Sequence, residues 1–156
     1  QNDTTRPFGV AVSSRLVSVK GWTEEQNSDW DMGMIILDRD IGDNTGWFGI
    51  ITGPDNILTN HYVNITGYPG DIPQDQRRGR LMYTMQDAIK RVDSEVLWYY
   101  IDTFGGQSGS GVWSHWEGQE GYHCAGIHVR GSSTENQATR LSKVKFDRVV
   151  EWMNTW

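Results

Sequence analysis

A serine set among glycines is the feature of this sequence best suited to chemistry. In Asp102-Thr103-Phe104-Gly105-Gly106-Gln107-Ser108-Gly109-Ser110-Gly111 the backbone can turn sharply and aim two N–H groups at one point beside the Ser108 hydroxyl. Acyl transfer needs that arrangement. Taken alone, the same run reads as an ordinary Gly/Ser loop. The nucleophile elbow of α/β-hydrolases is disfavoured, because Ser110 stands where a glycine is required and no helical pattern follows. A second segment, Ser28-Asp29-Trp30-Asp31, opens onto the apolar run Met32 to Leu37. A carboxylate at the mouth of a strand can orient a histidine and stabilise its imidazolium form, or simply cap a turn. A third, Cys124-Ala125-Gly126-Ile127-His128-Val129-Arg130-Gly131, puts a histidine inside an apolar strand, where it serves as a core residue or lines a pocket.

These segments must be held by something. The chain has 156 residues, enough for one domain or two small halves sharing a core. Lys and Arg total 14 against 20 Asp and Glu, a net charge of −6, with no basic run. Nucleic acid is therefore not an expected partner. No apolar stretch is long enough to span a bilayer as a helix, and no membrane partner is expected. Eight Trp, six Tyr and four Phe are too much aromatic surface for a disordered chain. The single cysteine, Cys124, excludes an internal disulfide and a multi-cysteine zinc site. It reads as a buried thiol or an interchain bridge. No cofactor and no metal is expected.

Short apolar runs punctuated by turn residues predict strands over Phe8–Val12, Leu16–Val19, Met32–Leu37, Trp47–Ile51, Tyr62–Thr66, Arg80–Met85, Val96–Ile101, Gly111–Ser114 and Tyr122–Val129. The continuous run at Met32–Leu37 reads as buried on both faces. Phe146, Val149, Val150 and Met153 then fall at helical spacing, with Lys145, Asp147, Arg148 and Glu151 on the other face and Ser142 as N-cap. The pattern is an all-β barrel or sandwich closed by one terminal helix.

Together the three segments resemble the chymotrypsin-like serine proteases, within them the glutamyl endopeptidase group. Asp31-Met32-Gly33-Met34-Ile35-Ile36-Leu37 is similar to that group's triad-aspartate strand, and Gly105-Gly106-Gln107-Ser108-Gly109-Ser110 to its nucleophile loop. Thr66-Gly67-Tyr68-Pro69-Gly70-Asp71, Gly126-Ile127-His128 and Thr139-Arg140-Leu141 resemble further group-specific segments. Gln107 and Gly111 depart from the usual Asn or Asp and Pro. The resemblance implies a double β-barrel with the site between barrels. Residues 1–65 would be the remaining part of an incomplete first barrel, 66–141 the second barrel and 142–156 a C-terminal helix. It implies Ser108 as nucleophile, Asp31 as the residue orienting the base, and the N–H groups of Gly106 and Ser108 as oxyanion hole. Thr103 and His128 would bind an acidic P1 side chain. The strand His128-Val129-Arg130-Gly131 would pair with the substrate backbone, and strand alternation puts Arg130 on the His128 face.

The group's order is His, Asp, Ser, and no histidine precedes Asp31. His61, His115 and His123 are poor substitutes by their surroundings. The chain therefore reads as the C-terminal part of a secreted endopeptidase whose catalytic histidine lies on a separate N-terminal chain, with a peptide or protein as substrate and cleavage after Glu, Asp being weaker. An inactive homologue kept for binding, and a carbohydrate-binding β-module using Trp113 and Trp116, are the alternatives. Sequons at Asn2 and Asn64 permit glycosylation in a eukaryotic source.

Overall fold

A computed structural model describes residues 5–71, 73 and 80–155. Its N-terminal part is a two-stranded antiparallel sheet of β1 (Ser13–Ser18) and β2 (Gly33–Leu37), in register from Ser18 opposite Gly33 to Leu16 opposite Ile35 and onward. Between them run a single helical turn, α1 (Lys20–Thr23), and a 3₁₀ turn over Ser28–Trp30. The Asn27 side chain accepts from Asp29 N at 3.0 Å and so starts that turn. Two further short helices, α2 (Gly42–Thr45) and α3 (Asp55–Leu58), flank the two-residue strand β3 (Gly49–Ile50).

The rest of the chain closes into a barrel. Its strands are β4 (Tyr62–Gly67), β5 (Tyr83–Val92), β6 (Val96–Tyr99), β7 (Gly111–His115), β8 (Tyr122–Gly131) and β9 (Asn136–Arg140). Around the barrel they run β4-β5-β6-β9-β8-β7 and back to β4, all antiparallel, with β3 added parallel to β8. Closure leaves no open edge among the six strands. Alternation fills the inside: Val63 and Ile65 of β4 meet Ile89, Leu97, Tyr99, Val112, Ala125 and Ala138, all buried. The chain is thus mostly β with one long helix, α4 (Lys143–Thr155), at its end. Strand β4 runs across the 65/66 boundary expected from the sequence.

Several expectations are corrected. Phe8–Val12 forms no strand: the Arg39 guanidinium donates to the carbonyls of Phe8 and Val10 at 2.7 and 3.1 Å, and Asp38 accepts from Val12 N at 2.9 Å. Side chains thus take the place of a ladder. Met32–Leu37 is not buried on both faces. Only Met32 is buried, and Ile35 is 62% exposed, because a two-stranded sheet packs through one face alone. The strand begun at Arg80 starts at Tyr83 and runs to Val92. Helix α4 is rotated from its expected face: Lys145 and Trp152 are buried and Met153 is exposed. The cause is an ion pair, Lys145 Nζ to Glu95 Oε2 at 2.6 Å, with the ammonium 5.3 Å above the Trp30 ring. Ser142 does precede the helix, but its hydroxyl donates to Glu95 at 3.0 Å.

A second apolar cluster of Val19, Met32 and Trp152, joined by Trp30, Met34, Ile127 and Val149, fastens the N-terminal sheet to the barrel and α4. The half-buried Asn64 donates to the Trp113 carbonyl at 3.4 Å, and Asn2 lies outside the described residues. Burial pushes the Cys124 thiol up to about 11, so at neutral pH it stays protonated.

Candidate active site

The loop between β6 and β7 is built around two glycines that no other residue can replace cheaply. Gly106 has φ +105°, and a Cβ there would lie 2.7 Å from the Tyr68 carbonyl oxygen. Gly109 has φ +89°. Both angles lie where side chains are disfavoured. The loop is pinned on three sides. Gly70 N donates to the Gly105 carbonyl at 2.7 Å, Gly109 N to the His128 carbonyl at 2.8 Å, and His128 N to the Ser110 carbonyl at 2.8 Å. The buried Gln107 side chain folds back to accept from Phe104 N at 2.7 Å. Ser108 is left exposed at the crest. Among the described residues, the N–H groups of Gly106 and Ser108 have no hydrogen-bond acceptor, so both are free for an oxyanion.

Asp31 ends the 3₁₀ turn, and the barrel holds that turn residue by residue. Arg130 Nη2 donates to the Ser28 carbonyl at 3.1 Å, and the buried Thr139 hydroxyl donates to the Asp31 carbonyl at 3.0 Å. Lys145 sits over the Trp30 ring. Burial raises the Asp31 carboxyl above its ordinary range, and the Arg130 charge opposes the rise. Asp31 and Ser108 face one cleft of about 330 Å³, with Met32, Gly33 and Ile35 on one side and Gly109, Ile127, His128 and Val129 on the other. Residues distant in sequence are thereby brought to a common space, with Asp31 and Ser108 both lining it.

His128 is buried, with Nδ1 at 2.7 Å from the Tyr99 hydroxyl. Its pKa is lowered by burial, with the Gln137 backbone acting the other way. Thr103 lines an adjoining hollow with Tyr83, Phe104 and Gln107 rather than the Asp31–Ser108 cleft. It still meets the β8 wall, since a Cβ on Gly131 would lie 3.7 Å from Thr103 Oγ1. Arg130 does not share the His128 face. A bulge between His128 and Arg130 breaks the alternation and turns the guanidinium toward Ser28 and Asp31. Sequence reasoning missed three supports of this wall: Tyr99, Thr139 and Asn136, whose side chain donates to the Ile101 carbonyl at 2.5 Å.

The remaining histidines are engaged elsewhere. His61 stacks on Trp116 with ring centroids 3.9 Å apart and bonds Ser114 at 3.1 Å. His115 packs edge-on against Tyr122, and His123 lies against Gly49. Trp116 is buried, and the half-buried Trp113 has Phe48 and Tyr122 as ring neighbours at 5.3 and 5.4 Å.

Comparison with known proteins bears on the same residues. The chain is 32% identical over 163 residues to glutamyl endopeptidase of Bacillus licheniformis. A solved Glu endopeptidase in complex with MPD superposes with a TM-score of 0.83 at 27% identity, over 97% of this chain and 67% of that one. This chain is similar to the chymotrypsin-like serine proteases, within them the glutamyl endopeptidase group. The closed barrel and terminal helix are those of a chymotrypsin-like protease. The chain is also 30% identical over 154 residues to a Bacillus subtilis protein named extracellular metalloprotease. Among the described residues no group of three or more His, Cys, Asp or Glu is placed to hold a metal ion. The chain spans about half the length of these two curated relatives, 47% and 49%. No family model matches it.

Proposed function

We propose that this chain is the larger part of a secreted serine endopeptidase that cleaves after Glu, and more weakly after Asp. The observation that carries the reading is that Asp31 and Ser108 line one cleft, with Ser108 in a loop where the Gly106 and Ser108 N–H groups have no acceptor among the described residues. In this mechanism Ser108 Oγ attacks the scissile carbonyl carbon. The N–H groups of Gly106 and Ser108 stabilise the resulting oxyanion. A general base takes the serine proton and returns it to the leaving amine, and water then hydrolyses the acyl-enzyme. Asp31 orients that base and stabilises its cationic form.

The base is a histidine supplied by a separate N-terminal chain. Two observations support this. Of the histidines here only His128 borders the cleft, and its ring is buried against Tyr99. The β1–β2 sheet leaves Leu16, Ile35 and Leu37 exposed, an apolar face that further strands would cover. His128 and Thr103 meet the P1 carboxylate, for which burial without donors is costly, and Val129 to Gly131 pairs with the substrate backbone. Secretion accords with the name of the extracellular relative. The test is a peptide library varied at P1, presented to the full-length protein. Preferred cleavage after Glu is expected, and preference for Arg, Lys or large aromatics overturns the specificity.

A further inference from the structure

We propose that Tyr99 fixes the tautomer of His128, so that the imidazole presents a neutral Nε2–H to the substrate's P1 carboxylate. Tyr99 is then a positioning residue for specificity that never touches substrate; the inference rests on the P1 reading above.

The argument begins with the Tyr99 hydroxyl, on β6 inside the barrel. Tyr99 has no exposed surface, and its oxygen lies 2.7 Å from His128 Nδ1. Two proton placements are open. If Nδ1 carries the proton and donates to the phenol, the phenol proton needs another acceptor. Among the described residues the Tyr99 hydroxyl has no other partner, so that proton would be buried and unpaired, the costly outcome. If the phenol donates to an unprotonated Nδ1, both groups are satisfied and the ring proton belongs on Nε2. The Gln137 backbone favours a proton on the ring, against the effect of burial, without selecting which nitrogen carries it.

Nε2 is not fully enclosed. The one buried side-chain nitrogen or oxygen without a partner among the described residues is His123 Nδ1. His128 Nε2 has no hydrogen-bond partner either, so it is not sealed off, and His128 borders the cleft that holds Ser108. A phenol kept protonated by burial cannot exchange roles with the ring, and burial likewise disfavours the imidazolium. The acidic side chain is thus met by a neutral donor whose direction is set from behind.

The experiment uses the full-length protein and two readouts. The first is kcat/KM on matched peptides with Glu or Leu at P1, for the unsubstituted protein and Tyr99→Phe, which keeps the ring and removes the hydroxyl. The Glu-to-Leu ratio should fall by about tenfold, the scale of one lost hydrogen bond to a charged group, with the Leu substrate unchanged. The second is ¹⁵N NMR of the His128 ring in the unsubstituted protein, which needs no variant to fold. It should show a protonated Nε2 and a bare Nδ1. An unchanged ratio in Tyr99→Phe, or a ring protonated on Nδ1 or on both nitrogens, overturns the proposal. A protein with no Glu preference sinks the P1 reading, while the ring spectrum still decides the role of Tyr99.

Discussion

Ser108 and Ser110 lie two residues apart in one loop, yet the loop treats them differently. Ser108 is exposed between two glycines with positive φ, whereas the Ser110 carbonyl is tied to His128 N. A fluorophosphonate should therefore label Ser108 in the active protein and spare Ser110, and Ser108→Ala should abolish labelling without changing the far-UV spectrum; mass spectrometry of the labelled peptide checks this. Asp31 gives a second prediction at the same scale. Its carboxyl is raised because burial outweighs the pull of Arg130, so the folded state disfavours the ionised form. As pH rises from 3.8 through the folded value, stability is lost. Asp31→Asn should hold or raise the thermal midpoint at neutral pH while lowering kcat by about 10⁴-fold, the loss seen when a triad base takes the wrong tautomer. The residues that could do this chemistry were legible in the sequence, since glycine spacing around a serine and an acid at a strand mouth are local signals. Tyr99 and Thr139 were not, because each acts across the barrel on a residue far away in the chain.

Elements were legible to the extent that their neighbours were regular. Strands that join the closed barrel announce themselves by alternation and turns. Phe8–Val12 carries the same apolar signal but is held by Arg39 and Asp38, a side-chain arrangement that no periodicity encodes. Helix α4 showed its apolar spacing, yet the face that packs is chosen by Lys145, a residue whose type argued for solvent. Its amine is fully buried and its pKa is lowered by that burial, with Glu95 opposing. Glu95→Gln leaves that ammonium without its counter-charge and should cost about 3 kcal/mol or more. Lys145→Met keeps the volume and removes the buried charge, so it should cost less. Chemical denaturation of both variants tests the order, and a larger loss for Lys145→Met contradicts it. Arg130 shows how one bulge defeats alternation: an extra residue at Val129 re-aims the guanidinium from the His128 face to the Ser28 carbonyl.

For the whole molecule, pH and the apolar sheet face have separate signatures. His61 and His128 both have pKa values lowered from 6.5 because burial disfavours the imidazolium. Once the pH falls below 6.5, the unfolded chain takes up protons that the folded chain refuses. Stability is therefore present above that pH and lost as it falls toward the folded values. The thermal midpoint should decline over this range, and His61→Gln should flatten the decline; an identical slope would remove His61 from the account. The exposed Leu16, Ile35 and Leu37 give the chain alone a surface that binds hydrophobic dyes. The chain alone should not hydrolyse peptides. A histidine-bearing N-terminal chain should quench the dye signal and restore turnover together, and an active preparation containing this chain alone would refute the two-part reading.

The grip of the barrel on Ser28–Asp31 bears on how such an assembly would be measured. Arg130, Thr139 and Lys145 fasten the Asp31 turn to the same barrel that carries Ser108. Asp31 and Ser108 are thus spaced by one body, so that under the proposed reading only the arrival of the base would be left to assemble. Under the two-part reading, turnover becomes a molecular counter. It should rise in proportion to added N-terminal chain, bend at one equivalent, and show no lag from reorganisation of the cleft. Loosening the turn with Thr139→Val should leave the equivalence point in place and lower the slope, separating how many molecules are complete from how well each one works.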